Sequence, residues 1–224
     1  METVAVAVIK KNVTVMEIAK KNSPLNLKWD AKEQQLKAYA QTNHVPIILD
    51  EGLAFLETLI RLHKPKKILE IGTAIGYSAI RMHRVCGSHI TTIERDADMF
   101  HLATLNIQNF GYEKNIKLIF KDALECYETL KNETFDMIFI DAAKAQYTKF
   151  FNLYAPLLSS GGLIICDNMF FHGLVEEDSS NYSRSVRGLV RKLSSFHNFL
   201  LENEKYTTSI FNIGDGMAVS IKKD

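Results

Sequence analysis

The chain has 224 residues, of which 46% are hydrophobic, and a formal net charge of +1 at pH 7. A chain of this length can bury one sizeable core, so we expect a single domain. The near-neutral charge provides no overall basic field for a nucleic acid or an anionic membrane, so a polyanion would have to bind a local basic patch.

Three widely spaced cysteines, Cys86, Cys126 and Cys166, include no CxxC pair. Their odd number and spacing argue against a disulfide framework or a structural zinc site and indicate a reducing compartment. No apolar run approaches the roughly 20 residues of a membrane span. The short apolar stretch at the start is followed, not preceded, by lysines, which is a poor match to a signal peptide. We therefore expect a soluble, cytoplasmic protein with no membrane partner.

Short apolar runs alternate with segments of helical periodicity along the chain. Residues 30–43 predict a mostly polar helix that ends at the extended His44-Val45-Pro46 step, and residues 51–64 predict an amphipathic helix. The strands predicted next are residues 67–71, 89–93, 116–120, 137–140 and 163–166. The helices predicted between them begin at about residue 77, cover 97–109, follow residue 122 and cover 145–158. Strands joined by helical crossovers indicate a parallel α/β sheet.

The C-terminal part of the chain has a different pattern. A long helix is predicted over about residues 183–203, and two β-rich runs, 208–213 and 217–221, flank Gly214-Asp215-Gly216. A glycine-containing turn between such runs predicts an antiparallel hairpin at the sheet edge. The predicted fold is therefore an α/β domain over residues 1–224. It has a mostly parallel seven-stranded sheet with helices on both faces, a C-terminal antiparallel hairpin, and residues 1–44 as an N-terminal helical extension.

Ligands of parallel sheets bind at the carboxyl ends of the strands, so the residues at those ends form the candidate site. The first strand runs into EIGTAIGYS, residues 70–78, where glycines permit a tight turn and a close approach of a ligand. The spacing is GxxxGxS and not GxGxxG, which disfavours a dinucleotide. Glu70 would repel a pyrophosphate and suits a ligand with positive charge. A plain strand-to-helix turn is the alternative interpretation.

The second and third strands also end in acids. Glu94 is placed to accept hydrogen bonds from ribose hydroxyls, although an acid there also serves as a helix partner. Asp122, followed by Ala123, is placed to accept from an adenine amino group, and a helix N-cap is an equally good interpretation. Any nucleoside cofactor would use these two positions.

The fourth strand ends at Asp141 and the fifth at Asp167-Asn168. Because neighbouring parallel strands end at the same edge, we expect these side chains to lie together. Two carboxylates and an amide oxygen are hard ligands that suit Mg²⁺, with water or substrate in the remaining positions. Without a cation, the two carboxylates would repel each other, and one would move toward protonation. The alternative is that each acid only caps the helix after its strand.

Five segments, taken in order, resemble the successive motifs of S-adenosylmethionine-dependent, divalent-metal-dependent O-methyltransferases of the catechol-O-methyltransferase type. They are ILEIGTAIGYSAIRM, ITTIERD, FKDALE, FDMIFIDAAKAQY and GGLIICDN. The resemblance runs from about Val45 to the end of the chain and implies a Rossmann-like class I methyltransferase fold. Within that family the chain is most similar to the bacterial tRNA 5-hydroxyuridine methyltransferases, through AYAQTNHVPII, FFHGLVEEDS and GDGMAVS.

The resemblance implies roles for individual residues. The expected contacts of the donor, S-adenosyl-L-methionine, are Ile48, Glu70, Gly72, Ser78, Glu94, Asp122, Ala123 and Asp141. Asp141 would also bind Mg²⁺, together with Asp167 and Asn168. Lys144 matches the lysine that helps deprotonate the substrate hydroxyl in catechol enzymes, so Lys144 and Asp141 are the expected catalytic residues. Relatives of this kind are usually dimers, and we expect a homodimer.

The metal site does not identify the acceptor, because catechols and 5-hydroxyuridine both present two adjacent oxygens. A row of basic residues in the last predicted helix suits phosphates, although a solvated helix face is the alternative. The row consists of Arg184, Arg187, Arg191 and Lys192. On the resemblance we expect the substrate to be tRNA, at its anticodon region. The alternatives are a small-molecule catechol or phenylpropanoid O-methyltransferase, and an NAD-dependent oxidoreductase or non-catalytic nucleotide-binding module.

Two further segments have open interpretations. Residues 1–28 resemble no motif of the family and predict either a flexible arm or a solvated helix. His172, near the metal motif, is either a substrate contact or a loop residue.

Overall fold

The computed structural model describes residues 14–16, 27–171, 173–174 and 182–224. His172 and most of residues 1–28 lie outside this range, so the interpretations of them stay predictions. The strands are β1 (Thr14–Met16), β2 (Lys67–Ile71), β3 (His89–Glu94), β4 (Ile116–Phe120), β5 (Phe135–Ile140), β6 (Leu158–Cys166), β7 (Tyr206–Phe211) and β8 (Met217–Lys222). The α-helices are α1 (Ala31–Thr42), α2 (Asp50–His63), α3 (Tyr77–Cys86), α4 (Ala97–Phe110), α5 (Tyr127–Leu130), α6 (Tyr147–Tyr154) and α7 (Arg184–Glu202).

All strands join one sheet, in the order β1-β7-β8-β6-β5-β2-β3-β4. Strands β2 to β6 are all parallel to one another, whereas β8 runs antiparallel to both β6 and β7. The predicted seven-stranded, mostly parallel sheet with a C-terminal antiparallel hairpin is therefore confirmed. The short strand β1, which pairs with β7, adds an eighth strand that the sequence did not predict.

Helices cover both faces of the sheet, and the alternation of side chains along β5 shows why. Ile138 and Ile140 face one core layer, which contains aromatic residues of α6 and α7. Met137 and Phe139 face the other layer, which contains the apolar residues of α2 and α3. A strand buried on both faces is apolar throughout, and that is the composition of FDMIFI after its first two residues.

The segment between β5 and β6 differs from its prediction. The helix predicted over 145–158 is broken into the 3₁₀ turn Lys144–Gln146, helix α6 and the 3₁₀ turn Ala155–Leu157, in which Pro156 occupies an early position. Strand β6 also begins earlier than predicted, at Leu158, and its pairing with β5 shifts register before Met137. None of the described helices is long and apolar enough to span a membrane.

Candidate active site

The strand order places a crevice at the carboxyl edge of the sheet. The chain runs from β2 outward to β3 and β4, then returns to form β5 on the opposite side of β2. At such a switch point the loops diverge and leave space between them. A cavity of about 290 Å³ lies there. Its wall includes Ile48, Gly72, Ser78, Glu94, Asp122 and Asp141.

Gly72 permits the close contact of the two strand ends. It has a φ of 99°. A Cβ atom at this position would lie 2.0 Å from the backbone oxygen of Asp141. Since no side chain tolerates such a contact, only glycine allows the turn after β2 to pass against the end of β5. The pairing continues beyond the strands, as the Asp141 amide donates to the Ile71 carbonyl at 3.0 Å.

Glu70 lies beneath this turn and does not line the cavity. Its side chain is fully buried. The hydroxyls of Ser78 and Thr92 donate to its two carboxyl oxygens, each at 2.5 Å. Burial raises the pKa of Glu70 to about 8, although both hydroxyls act in the opposite direction. Glu70 was expected to contact the donor directly. Its carboxyl is instead enclosed by side chains of the protein and supports the turn.

Glu94 and Asp122 each bind backbone amides of the loops that surround the cavity. Oε2 of Glu94 accepts from the Ala74 amide at 2.9 Å, and Oε1 accepts from two amides after β3, each at 2.8 Å. Oδ1 of Asp122 accepts from the Leu124 amide at 2.8 Å, as an N-cap does, while Oδ2 lies 3.3 Å from Arg95. Both acids therefore shape the cavity wall, and each keeps lone pairs that can accept further hydrogen bonds.

The three expected metal ligands lie together. Nδ2 of Asn168 donates to Oδ1 of Asp141 at 3.1 Å, and the Asn168 amide donates to Oδ1 of Asp167 at 2.7 Å. Desolvation raises the pKa of Asp141 to about 6. Desolvation and the charge of Asp141 raise the pKa of Asp167 to about 8. Asp141 and Asn168 line the cavity, and Asp167 is buried behind them.

Lys144 lies on the same side of the cavity, at the start of the 3₁₀ turn after β5. It is half-buried, and its Nζ lies 5.9 Å from the centroid of the Phe171 ring. Its positive charge lowers the pKa of both Asp141 and Asp167, against the effect of desolvation. Lys144 is thus close enough to these carboxyl groups to influence their protonation.

The C-terminal hairpin supports the loop that carries Asn168. The amides of Met169 and Phe170 donate to the carbonyls of Gly216 and Asp215, at 2.9 and 2.8 Å. Gly216 has a φ of 85°, and a Cβ atom there would lie 2.6 Å from the Phe170 ring. The hairpin thus packs against the residues that directly follow Asn168, which has a left-handed backbone conformation with a φ of 59°.

Known proteins resemble the chain over most of its length. A family model described as O-methyltransferase matches residues 17–223. The chain belongs to this O-methyltransferase family. It is similar to a candidate caffeoyl-CoA O-methyltransferase from Staphylococcus aureus, with 42% identity and a TM-score of 0.82 over 86% of this chain and 93% of the other. This similarity confirms the predicted Rossmann-like methyltransferase fold.

Two further relatives extend the comparison. A catechol O-methyltransferase from Niastella koreensis is 34% identical over 75% of this chain and 79% of the relative. An SAH-bound methyltransferase from Podospora anserina is 27% identical, with a TM-score of 0.78 over 88% of this chain and 89% of the other.

Helix α7 brings the predicted basic row toward this edge of the O-methyltransferase sheet. The Phe196 ring contacts Tyr147 at the start of α6, and Phe199 contacts Phe151 one turn later, so the two helices run in the same direction. Because α6 begins at the carboxyl edge, the part of α7 before Phe196 extends beyond that edge. Arg184, Arg191 and Lys192 are exposed there, whereas Arg187 is half-buried and donates to the Tyr182 carbonyl at 2.8 Å.

The sequence did not reveal several residues that position the site. Tyr147, the last residue of FDMIFIDAAKAQY, was given no role, and its hydroxyl donates to the Asp167 carbonyl at 3.0 Å. Gly216 was predicted as part of a hairpin, without its contact with Phe170. Trp29 lies outside every motif and Arg81 lies within the first one, ILEIGTAIGYSAIRM, but no pattern in the sequence pointed to the contacts that they make.

A prediction concerns the protonation of Glu70. Its pKa is about 8 in the folded chain, compared with an ordinary value of 4.5. Between these values the folded state binds the proton that the unfolded state has lost, so the unfolding free energy falls as the pH rises. Relative to Glu70→Gln, we expect the wild type to lose up to about 1.4 kcal/mol per pH unit in this window. Urea unfolding from about pH 5 to about pH 8 measures the slope.

The matched control for this measurement is Glu113→Gln. Glu113 is exposed, and its replacement is expected to leave the slope unchanged. A Glu70→Gln variant with the wild-type slope would contradict the prediction.

Proposed function

We propose that this protein transfers a methyl group from S-adenosyl-L-methionine to a hydroxyl that has a second oxygen beside it, with the help of a divalent cation. The observation that carries the proposal is the position of Asp141. Its backbone contacts the Gly72 turn of the cavity, and its carboxylate contacts Asn168 of the acid-amide set. A donor in the cavity and a cation at this set would therefore be neighbours.

The shape and charge of the cavity support the donor. The wall has three acidic and three basic side chains, and the carboxylate of Asp141 suits the positively charged sulfonium and ammonium groups of such a donor. Glu94 and Asp122 would serve the ribose and the adenine, and Ile48 would supply an apolar contact. The relative from Podospora anserina, which has the same fold and is SAH-bound, supports a donor of this class.

The acid-amide set fits a hard divalent cation. Asp141 and Asp167 are desolvated carboxylates, and the charge of Asp141 raises the pKa of Asp167, a repulsion that a cation would relieve. A half-turn of the Asn168 amide would present its oxygen in place of its nitrogen. Within the described residues no three His, Cys, Asp or Glu side chains form a metal-binding group, so the amide is needed as a third ligand. A bound Mg²⁺ would lower the pKa of the acceptor hydroxyl and orient it.

The protein groups would then complete the transfer. The acceptor oxygen forms its bond to the methyl carbon as the carbon–sulfur bond breaks, and the hydroxyl proton must leave. Lys144 is the candidate base for this proton. The Gly72 turn would hold the donor so that the sulfur, carbon and oxygen stay in line, since alignment accounts for much of the rate gain.

For the acceptor we propose 5-hydroxyuridine at the wobble position of tRNA, which methylation converts to 5-methoxyuridine. The supporting feature is the exposed basic part of α7, which extends beyond the cavity edge and has no acidic residue before Glu202. Such a surface suits the phosphates of an anticodon stem. The names of the relatives, catechol and caffeoyl-CoA O-methyltransferases, favour a small aromatic diol as the second candidate. A homodimer and a cytoplasmic location stay predictions from the sequence.

The first test concerns the cation. Asp167→Ala removes a proposed ligand from behind the cavity, so we expect Mg²⁺-dependent turnover to fall at least about 100-fold. The affinity for SAH should stay within about threefold of wild type, because Asp167 does not line the cavity. Asp98→Ala, at an exposed acid of α4, is the control. Full wild-type activity in excess chelator would exclude the metal mechanism.

The second test concerns the acceptor. Replacement of Arg184, Arg191 and Lys192 by glutamate should lower kcat/KM for tRNA at least about tenfold and leave the value for free 5-hydroxyuridine unchanged. The control replaces three exposed basic residues at the opposite edge of the sheet, Arg61, Lys64 and Lys66.

Nucleoside mass spectrometry of tRNA from cells that lack the protein completes this test. Loss of 5-methoxyuridine is the expected result. An unchanged level, in cells that make this nucleoside, would remove the tRNA proposal and leave the small aromatic diol.

A further inference from the structure

Residues 28–48 form a strap beside the cavity. The strap consists of the short segment before α1, the helix α1 and the loop that follows it. Pro46, Ile47 and Ile48, at the end of the strap, line the cavity. The beginning of the strap is attached to α3, the helix that follows the Gly72 turn. The strap therefore connects the body of the protein with one wall of the proposed donor site.

Arg81 of α3 holds the strap at its beginning. Its Nη1 donates to the Lys28 carbonyl and to Oε1 of Glu33, each at 2.8 Å, and its Nε donates to Glu57 of α2 at 2.8 Å. Arg81, Glu33 and Glu57 are all buried. Arg84 adds a second positive charge, 2.9 Å from Glu33. Because these buried charges compensate each other, loss of one would leave an unpaired charge in the interior.

A second connection holds the strap at its middle. Nζ of Lys37 forms an ion pair with Asp50 at the start of α2, at 2.6 Å. The same Nζ lies 4.5 Å from the centroid of the Trp29 ring. Lys37 thus links the indole at the beginning of the strap to the helix that follows the loop of residues 46–48.

Trp29 reaches the cavity wall through one hydrogen bond. Its indole Nε1–H donates to the hydroxyl of Tyr77 at 3.0 Å. Tyr77 is the first residue of α3, is 1% exposed and lines the cavity. Trp29 is half-buried and does not line the cavity. Its hydrogen bond therefore holds the Tyr77 ring from the side away from the cavity.

We propose that the strap completes the donor cavity and that Trp29 is a positioning residue that orients Tyr77 in its wall. The inference rests on the proposed function, since it takes the cavity to be the donor site. It extends that function by giving α1 and the segment before it a role in donor binding. In this proposal Arg81 binds the strap to α3 and α2, and Trp29 links the strap to the ligand through its hydrogen bond with Tyr77.

A double-mutant cycle tests the hydrogen bond. Trp29→Phe and Tyr77→Phe each remove one partner and keep an aromatic ring. We expect each to raise the Kd of SAH about fivefold to tenfold in calorimetric titration, and the double variant to bind no more weakly than either single one. With S-adenosyl-L-methionine the KM should rise while kcat stays within about twofold, because the bond acts on binding and not on the transfer step.

The only tryptophan of the chain provides a second measurement. SAH should shift the emission of Trp29 in the wild type, and the shift should be lost in Tyr77→Phe. Tyr39→Phe, which removes an exposed hydroxyl of α1, is the control and should retain wild-type affinity.

The outcomes separate this inference from the proposed function. A wild-type protein that does not bind SAH would refute the proposed function. A wild-type protein that binds SAH, with both single variants equal to it or with effects that multiply in the double variant, would refute the strap. Tyr77→Phe alone suffices for the binding comparison if Trp29→Phe does not fold.

Discussion

The contact between Gly72 and the backbone oxygen of Asp141 is the constraint on which the candidate site depends. A Cβ atom would lie 2.0 Å from that oxygen, so only glycine lets the turn after β2 lie against the end of β5. The contact places the carboxylate of Asp141 between the cavity and Asn168. The donor site and the cation site that we propose are adjacent because these two strand ends are.

The same packing of strand ends places several acids in a desolvated environment. Glu70, Asp141 and Asp167 all have a raised pKa, and in each case desolvation is the largest cause. The three carboxyl groups have different contacts. Two hydroxyls donate to Glu70, so its carboxyl supports the turn. Asp141 and Asp167 both accept a hydrogen bond from Asn168, and the three side chains together suit a cation. Whether a buried acid supports the fold or serves the proposed chemistry thus depends on the groups that contact it and not on how deeply it is buried.

The sequence predicted the strands along the chain and the acids that gather at their ends, because parallel strands of a switch-point sheet expose their carboxyl ends at one edge. It did not distinguish Glu70, which lies beneath the cavity, from Glu94, which lines it, since that difference depends on which hydroxyls fold over each acid. The contacts of Trp29 and Arg81 were not predictable either. Their partners are 24 to 53 residues away, and no local periodicity records such a contact.

The central claim is that Asp141 serves the donor and the cation together, and titration of Asp141→Asn tests it most directly. Calorimetry with SAH and separately with Mn²⁺ would give both affinities for this nearly isosteric variant. Glu94→Gln and Asp167→Asn serve as references, expected to weaken only SAH and only Mn²⁺ respectively. The account predicts that Asp141→Asn raises both dissociation constants at least about tenfold. An unchanged affinity for either ligand would contradict it.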